Sequence, residues 1–395
     1  MRCAMASIRQ ILSDVRSESN WNPCMLYKAP RITVSEHKVI QDIAAVRDKL
    51  KNRISVPKRW LGLLRRNALA RAIQGSNSIE GYTVNDEDAI AAAEGEELLE
   101  AGREARLAVV GYRNALTFVL QLATDPHFSY NEGFIRSFHF MMLQHDLSKR
   151  PGQWRVGPIY VRDEKRQEVV YEGPDADLVP SLMGELITEL NVKRSDPVMI
   201  RAAMSHLNLV LIHPFSDGNG RMARCLQTLV LAREGILEPQ FSSIEEYLGE
   251  NTPAYYAVLA ATAKGIWSPA NDTRSWIRFC LTAHYRQGQT LLRRTNEINR
   301  LWDELEALVR RMSLPERMIF ALADAAMGLK VRNATYRVAA GISDNLASRD
   351  LKTLIDERLL VPDGEARGRV YRAADVLKKI RARTREPERM VDPVY

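Results

Sequence analysis

The sequence has little cysteine, no long apolar run and no repeat. Its four cysteines among 395 residues are scattered and form no Cys-x-x-Cys pair, so neither a disulfide framework nor a zinc site is expected. The longest apolar runs, such as residues 207–212, are far shorter than the roughly 18 to 20 residues of a membrane span. Charges interrupt every apolar stretch of residues 1–18, so we expect no signal peptide, no membrane contact and a cytoplasmic protein.

What is present is an ordinary globular composition with a modest basic excess. Hydrophobic residues make up 46% and charged residues 27% of the chain, and its length predicts two to three domains. The net charge is +7, and residues 330–395 alone hold 15 basic and 10 acidic residues. This basic C-terminal end suggests contact with nucleic acid, whereas a solvated tail explains it equally well.

The chain has mostly helical periodicity, with two β-rich segments that stand apart. Residues 158–171 contain two β-rich runs around a polar turn, which predicts a β-hairpin. Near the C-terminus, three helical patterns precede a strand–turn–strand pattern at residues 359–373. This order is that of a winged helix, whose second and third helices form a helix-turn-helix around Gly341. The predicted fold class is mainly α, with a small β-hairpin and a C-terminal winged helix-turn-helix domain.

Residues 213–224 carry the strongest chemical signal, and they read His-Pro-Phe-Ser-Asp-Gly-Asn-Gly-Arg-Met-Ala-Arg. They lie between two apolar helical patterns, which predicts a loop that leads into a helix N-terminus. Gly218 and Gly220 allow positive φ and a close approach to a ligand, and consecutive backbone N–H groups there can bind an anion. Arg221 and Arg224 share one helix face near the positive end of the helix dipole. Two positive charges there are unfavourable unless a polyanion binds between them.

Two further residues of this segment indicate metal binding and proton transfer. The Asp217 carboxylate is a hard oxygen ligand that suits Mg²⁺ beside a phosphate. His213 titrates near neutral pH and can accept a proton from an attacking hydroxyl. A lone Asp-Gly-Asn-Gly is usually only a turn, but the combination favours a phosphate-binding catalytic site. The segment lacks the Gly-Lys-Ser/Thr ending of a Walker loop and the bidentate glutamate of an EF-hand.

The same segment matches every fixed position of the signature His-x-Phe-x-[Asp/Glu]-Gly-Asn-Gly-Arg-x-x-Arg, and the chain therefore resembles the Fic-domain proteins of the Fic/DOC superfamily. The apolar helix before it and the Pro-Gly-Gln-Trp-Arg sequence at residues 151–155 resemble the family's central helix and the approach to its flap. The resemblance spans residues 40–285. It implies a Fic-type helical bundle that transfers AMP from ATP to a Ser, Thr or Tyr hydroxyl of a protein, itself included, and releases pyrophosphate.

Carried over position by position, the resemblance implies a role for each charged residue. His213 is the base that deprotonates the target hydroxyl. Asp217 holds Mg²⁺ on the α- and β-phosphates of ATP. Arg221 contacts the β-phosphate region, and Arg224 reaches toward the γ-phosphate.

The uncharged residues of the motif are implied to surround the phosphates or to support the loop. Asn219 and the backbone of Gly218 and Gly220 cradle the phosphates, whereas Phe215 packs into the core. Gly220 favours nucleotidyl transfer, because kinase-type relatives that resemble Doc toxins have Lys at that place. Phosphocholine transfer also occurs in the family, and the motif leaves it open.

A second resemblance lies upstream, where Ser76-Asn-Ser-Ile-Glu-Gly is similar to the family's inhibitory motif, [Ser/Thr]-x-x-x-Glu-[Gly/Asn]. Without ATP, the Glu80 carboxylate can give Arg224 an anion through a bidentate pair and compete with the γ-phosphate. Ser76, four residues earlier, is expected to hydrogen-bond within the same helix end. The resemblance implies autoinhibition in cis, and an exposed helix terminus is the simpler alternative.

Two other features are weaker candidates. The hairpin at residues 158–171 resembles the flap that holds the target segment by strand addition, and an ordinary surface hairpin is its alternative. Tyr255 and Tyr256 lie where many relatives have a tyrosine pair beside the adenine, and core packing is their alternative. His139 and His206 lie on apolar helical faces, so we expect them to be core histidines.

These observations divide the chain into segments and suggest partners. The predicted segments are an N-terminal arm (1–35), a helical region with the inhibitory helix (36–105), the Fic core (106–285) with its flap (155–173), a linker helix (286–312), the winged helix (313–382) and a basic tail (383–395). ATP and a protein target are the expected partners. Because relatives of this class often dimerise, a homodimer is a further expectation.

The alternative function is a DNA-binding transcriptional regulator in which the Fic-like core only senses nucleotide. Its recognition helix would lie at residues 343–358. Six residues are candidates for contact with DNA: Arg337, Ser348, Arg349 and Lys352 near that helix, and Arg367 and Arg369 on the wing. Four acidic residues on the same helix weaken this alternative. Winged helices also serve as protein docking modules instead of binding DNA.

Overall fold

The computed structural model describes residues 26–54, 59–163, 168–192, 196–235, 238–364, 369–387 and 391–395. Most of the predicted N-terminal arm, with Cys3 and Cys24, lies outside these ranges, as do the predicted hairpin turns at 164–167 and 365–368. The described part is mainly helical, as predicted. None of its helices combines the length and apolarity needed to cross a membrane.

Sixteen α-helices and four strands make up the described part of the chain. The helices are α1 Val34–Ile54, α2 Leu61–Ile79, α3 Asp86–Glu94, α4 Arg103–Leu122, α5 Glu132–Leu143, α6 Val179–Asn191, α7 Val198–Ile212, α8 Asn219–Arg233, α9 Pro239–Ser242, α10 Glu245–Glu250, α11 Thr252–Ala263, α12 Arg274–Arg311, α13 Ile319–Ala326, α14 Asn333–Ala340, α15 Asp344–Asp356 and α16 Asp375–Thr384. The strands are β1 Tyr160–Asp163, β2 Glu168–Glu172, β3 Leu360–Asp363 and β4 Val370–Ala373.

Local cap residues set several helix ends. The Asn85 side chain accepts the Asp88 N–H at the start of α3, and the Asn131 side chain accepts the Phe134 N–H at the start of α5. Gly95 ends α3 with φ of 79°, a conformation that favours glycine. The helical pattern between residues 85 and 124 is therefore divided at this glycine.

The first and larger apolar cluster surrounds α7 and α8, which pack against each other and are joined by the 213–218 loop. Almost every residue of these two helices is buried. Trp276 at the start of α12 is fully buried, and its Nε1–H donates to the Ala203 carbonyl of α7 at 2.8 Å. The loop between α7 and α8 therefore connects two helices buried in the larger apolar cluster.

A second apolar cluster joins helices α13–α16 to parts of α1, α2 and α12. Helix α12 is 38 residues long and belongs to both clusters. The boundary predicted between residues 285 and 286 falls inside this helix, because no proline interrupts it. Its single glycine, Gly288, faces the Val46 side chain of α1 closely enough that an added Cβ would lie 3.0 Å from Val46 Cγ1.

Each strand pair forms an antiparallel hairpin. In β1–β2, Tyr160 is opposite Glu172 and the register is irregular between Val161 and Arg162. The Glu172 N–H donates to the Gly265 carbonyl at 2.8 Å, which fastens this hairpin to the chain after α11. The β3–β4 hairpin follows α13, α14 and α15, so the predicted element order is present there. The assignment of these elements to a winged helix stays a prediction.

Candidate functional site

The 213–218 loop is held in shape by its own residues. His213 has φ of 51°, in the left-handed region, and this turn ends α7. The Asn219 amide closes the loop, because its Oδ1 accepts the Phe215 N–H at 3.0 Å and its Nδ2 donates to the Phe215 carbonyl at 2.9 Å. Phe215 is fully buried, as expected. The Asn219 side chain thus supports the loop, and its backbone N–H lies at the start of α8.

His139 of α5 also holds this loop in place. Its position on an apolar helical face did not reveal this role. Its Nδ1 accepts the Gly152 N–H at 2.8 Å, so the ring proton is on Nε2, which donates to the Asp217 carbonyl at 2.9 Å. The ring stacks on Phe215 with centroids 3.6 Å apart. Burial lowers its pKa to about 4, which keeps the ring neutral.

The His213 side chain is oriented as a base. Its Nδ1 lies 3.1 Å from the Val210 carbonyl, which can only accept a hydrogen bond. Nδ1 therefore carries the proton, and the Nε2 lone pair is left to accept one. Burial is the largest cause that lowers the pKa of His213 below its usual value, so the imidazole is neutral at pH 7.

Arg155 fastens the base of the flap hairpin to the backbone around His213. Its Nε donates to the His213 carbonyl at 2.9 Å, and its own N–H donates to the Pro214 carbonyl at 2.9 Å. Its terminal nitrogens donate to the carbonyls of Gly157 and Pro174, at 2.7 and 2.5 Å. The sequence singled out this arginine only as part of residues 151–155, and the structure shows that it connects the flap to the loop.

Asp217 lies at the rim of the loop with a partly exposed carboxylate. Its Oδ1 accepts the Gly218 N–H at 2.6 Å, and its Oδ2 is 3.5 Å from the Lys149 ammonium. No group of three or more His, Cys, Asp or Glu among the described residues could hold a metal ion. A single carboxylate fits Mg²⁺, which is usually bound by one or two carboxylates together with substrate phosphates and water.

Arg221 is the clearest sign of an anion site. Only 1% of the residue is exposed, yet within the described structure its Nε and Nη1 have no hydrogen-bond partner. Its guanidinium lies over the Tyr82 ring at 5.5 Å, which stabilises the cation but leaves those N–H groups unsatisfied. A buried cation with unsatisfied donors is costly, so this arrangement suits a residue that binds an anionic ligand.

Arg224 meets both residues of the predicted inhibitory motif. Its Nη2 donates to Glu80 Oε1 at 2.7 Å and to the Ser76 carbonyl at 3.0 Å, while its Nε donates to Ser76 Oγ at 2.7 Å. Two expectations were wrong in detail. The Glu80 contact is through one oxygen rather than bidentate, and Nη1 of Arg224 has no partner among the described residues. The Ser76 hydroxyl accepts from Arg224 of α8 instead of bonding within its own helix end.

The glycines of the loop allow these close contacts. A Cβ on Gly220 would lie 2.6 Å from Glu80 Oε1 and 3.0 Å from Arg224 Nη1. Gly218 has φ of 76°, and a Cβ there would lie 2.8 Å from Leu143 Cδ1. Each position therefore keeps the backbone open to the space in front of the α8 N-terminus.

The two adjacent tyrosines are placed differently. Tyr255 is 1% exposed, and its hydroxyl donates to His206 Nε2 at 2.9 Å in the core. Tyr256 is half-exposed, and its hydroxyl donates at 3.2 Å to the Ile79 carbonyl, next to Glu80. His206 is a core histidine, as expected, because Gln227 Oε1 and Tyr255 occupy both of its ring nitrogens.

The positive charges of residues 330–395 are partly neutralised by ion pairs with other parts of the chain. Five ion pairs join residues 330–395 to acidic residues elsewhere: Lys330 with Glu100, Arg332 with Asp88, Arg337 with Glu96, Arg381 with Glu297 and Arg383 with Glu304. Of the candidates for DNA contact, Arg349, Lys352 and Arg369 are exposed. Ser348 Oγ accepts a hydrogen bond from Asn333, and Arg367 lies outside the described residues.

Comparisons with known proteins agree on one family. Residues 129–231 match the model of the Fic/DOC family. The chain is 29% identical over 223 residues to "Protein adenylyltransferase Fic" of Nematostella vectensis, covering 52% of this chain and 47% of that protein. It is 32% identical over 174 residues to "Protein adenylyltransferase fic-1" of Caenorhabditis briggsae, covering 43% and 31%. The chain thus spans less than half the length of these curated relatives.

Solved structures support the fold. A Fic family protein from Desulfovibrio desulfuricans G20 superimposes with a TM-score of 0.55 at 23% identity, covering 88% of this chain and 99% of that one. Residues 134–508 of Fic-1 from C. elegans superimpose with a TM-score of 0.51 at 23% identity, covering 65% and 71%.

Proposed function

Residues 129–231 form a Fic/DOC-family domain, and from this premise we propose that the chain is a protein adenylyltransferase. It transfers AMP from ATP to a Ser, Thr or Tyr hydroxyl of a protein, its own chain included. The names of the relatives and the geometry of the 213–224 segment support this proposal. The observations that carry it lie in one segment: Arg221 is buried and unsatisfied, and His213 is neutral with an Nε2 that can accept a proton.

The phosphates of ATP bind in front of the α8 N-terminus. Backbone N–H groups at the start of α8 and the helix dipole attract them, and the Gly218 N–H, which bonds Asp217 in this structure, joins them when that bond opens. Arg221 contacts the β-phosphate region with the donors that lack a partner in this structure. Arg224 reaches the γ-phosphate once Glu80 has left it. Both arginines act as preorganised charges, so little reorganisation accompanies the reaction.

The transfer step forms one bond and breaks one. The target hydroxyl oxygen attacks the α-phosphorus of ATP, and its proton moves to His213 Nε2. The bond from the α-phosphorus to the oxygen that bridges to the β-phosphorus breaks, and pyrophosphate leaves with that electron pair. The Val210 carbonyl holds the Nδ1–H of His213 throughout, which keeps the ring in the required orientation.

Asp217 is the residue that would hold Mg²⁺ together with the α- and β-phosphates. Bound there, the cation would neutralise charge on the phosphates and on the leaving pyrophosphate. The Asp217 backbone is fixed by His139, so its carboxylate is presented at a defined place. The Lys149 ammonium lies 3.5 Å from the same carboxylate and would leave it when Asp217 holds the cation.

Glu80 restrains the enzyme in the conformation seen here. Its carboxylate occupies Arg224, so the γ-phosphate finds no cation there and ATP is held in an unproductive position. Gly81, with φ of 84°, turns the chain directly after Glu80. The half-exposed Tyr256 bonds the last turn of the inhibitory helix, and its ring is our candidate for contact with the adenine.

Intact-protein mass spectrometry tests the proposal. Wild type, Glu80→Gly and His213→Ala in the Glu80→Gly background are incubated with ATP and Mg²⁺. A mass gain of about 329 Da in Glu80→Gly alone would establish AMP transfer, the base and the restraint together. A gain of one phosphate would indicate a kinase instead. No gain and no labelling of lysate proteins by any variant would contradict the proposal.

Contact with DNA or protein through residues 313–382, homodimerisation and the phosphocholine alternative stay predictions. The internal ion pairs of the C-terminal cations give nucleic-acid binding little support.

A further inference from the structure

Helix α2, which ends beside Glu80, belongs to two apolar cores. Its first half packs Leu61, Leu63 and Leu64 into the cluster formed with helices α13–α16. Its second half packs Ile73 and Ile79 into the cluster around α7 and α8. One continuous helix therefore connects the C-terminal unit, defined here as residues 316–384, to the inhibitory contact on Arg224.

Buried ion pairs reinforce the first of these attachments. Arg66 of α2 contacts Asp324 of α13 and, at 3.0 Å, Glu94 of α3, and all three side chains are less than one-tenth exposed. Arg332, at the start of α14, donates to Asp88 of α3 at 3.2 Å. The C-terminal unit is thus attached both to α2 and to the helix that follows it.

The middle of α2 crosses α10 in direct backbone contact, at two glycines. A Cβ on Gly75 would lie 2.4 Å from the Glu245 carbonyl oxygen, and one on Gly249 would lie 2.7 Å from Gly75 Cα. Helix α10 is itself fixed to α12, because both carboxylate oxygens of Glu246 accept hydrogen bonds from Arg294 at 2.7 Å. The crossing is therefore a fixed point along α2.

This fixed point lies between the two ends of α2. At 1.5 Å of rise per residue, Arg66 is about 13 Å on one side of Gly75 and Glu80 is about 7 Å on the other. A cavity of about 510 Å³ borders the same helix at the junction, lined among others by Leu64, Ala68 and Leu329. The first half of α2 thus has room to tilt about the crossing.

We propose that the C-terminal unit controls autoinhibition through the orientation of α2, and we call this coupling the handle. In the docked arrangement seen here, the unit holds α2 so that Glu80 meets Arg224. Displacement of the unit tilts α2 about the Gly75–Gly249 crossing and withdraws Glu80, which admits the γ-phosphate. This inference rests on the proposed function, because it assumes that Glu80 restrains AMP transfer.

The test weakens the junction without touching the nucleotide site. Asp324→Asn keeps the shape of the side chain but removes the charge that faces Arg66. Arg372→Ala is the matched control, because Arg372 pairs with Asp363 on the β3–β4 hairpin and does not face α2. The rate of AMP incorporation is measured for each, in wild type and in the Glu80→Gly background, by intact-protein mass spectrometry with ATP and Mg²⁺.

We expect Asp324→Asn to raise the rate about fivefold or more in wild type, the lower limit of typical allosteric coupling, and not at all in Glu80→Gly. An equal rise in both backgrounds, or none while Glu80→Gly itself is activated, would overturn the handle but leave the proposed function standing. No incorporation by Glu80→Gly would instead reject the proposed function and the handle together.

A second variant keeps the test decisive if Asp324→Asn does not fold. Glu96→Gln weakens the partly exposed contact with Arg337, which is 3.5 Å long, so the fold is retained. A smaller rise that again disappears in the Glu80→Gly background is expected. Folding is checked by circular dichroism and thermal melting, and an unchanged rate in a folded Glu96→Gln protein together with an unfolded Asp324→Asn protein would count against the handle.

Discussion

The buried arginines differ in whether the chain pairs them with a carboxylate. At the junction with the C-terminal unit, Arg66 and Arg332 each bond a buried carboxylate of the chain. In the nucleotide site, Arg221 is buried as deeply, yet no carboxylate pairs with it among the described residues, and two of its nitrogens have no partner. Arg224 is intermediate, because Glu80 neutralises it but its Nη1 is unsatisfied.

This difference separates residues that stabilise the fold from residues that bind a ligand. Breaking a buried ion pair is strongly destabilising, because it leaves one charge uncompensated. An arginine without an ion-pair partner already bears that cost in the folded state, so its removal breaks no ion pair, and Arg221 loses only its contact with the Tyr82 ring. Junction variants should therefore change stability, and variants of Arg221 should change binding.

The largest effect is expected from Asp88→Ala at the junction. The Asp88 carboxylate accepts from Arg332 and from three backbone N–H groups, those of Leu99, Glu100 and Ala101. Its loss should lower the free energy of unfolding by about 3–5 kcal/mol, measured by urea denaturation. Asp86→Ala, which removes an exposed carboxylate two residues earlier, should cost less than about 1 kcal/mol. Equal losses for the two variants would contradict the distinction.

The next effect is on ligand affinity. Arg221→Met should weaken ATP binding about 10- to 100-fold, since it removes charge-assisted hydrogen bonds worth about 1.5–3 kcal/mol. Its melting temperature should stay unchanged or rise, because a buried uncompensated cation is gone. Calorimetry with ATP and Mg²⁺ in the Glu80→Gly background measures the affinity. Arg66→Met in that background should show the reverse, with lower stability and unchanged affinity; a loss of stability in Arg221→Met would break the comparison.

The comparison also shows what the sequence can and cannot predict. The loop and its helix N-terminus follow from the glycines and flanking apolar patterns of residues 213–224. The meeting of Glu80 with Arg224, which are 144 residues apart, followed only from the family resemblance, because separation along the chain says nothing about contact. The mainly helical fold follows from periodicity, whereas helix ends such as those capped by Asn85 and Asn131 were found only in the structure.

Other features depend on packing that the sequence does not encode locally. Tyr255 and Tyr256 are chemically identical neighbours, and only the helix rotation against Trp276 decides which one is buried. The role of His139 depends on Gly152 and Asp217, which reach it from different segments. The division of α2 between two cores is invisible as well, since the sequence does not show which cluster each apolar residue joins.

The pH dependence of AMP transfer tests the loop side of the comparison. Because the pKa of His213 is lowered, mainly by burial, the neutral base persists to a lower pH than an ordinary histidine allows. In Glu80→Gly, the acid limb of the rate profile should therefore have its midpoint below pH 6.5. Rates measured between pH 5 and 8 at saturating ATP check this. A midpoint above pH 6.5 would mean that the imidazolium form is favoured in the site.

The smallest effect is expected at the contact between the two regions, where Tyr256 bonds the last turn of α2. Tyr256→Phe removes a hydrogen bond to the Ile79 carbonyl, worth about 0.5–1.5 kcal/mol. Glu80 should then leave Arg224 more often and AMP transfer should rise about two- to tenfold, with no rise in the Glu80→Gly background.

Tyr255→Phe is the matched control, because its hydroxyl bonds His206 in the core. It should lower the melting temperature while leaving the ratio of wild-type to Glu80→Gly rates unchanged. If Tyr256→Phe instead slowed transfer in both backgrounds, this tyrosine would serve the nucleotide rather than the restraint.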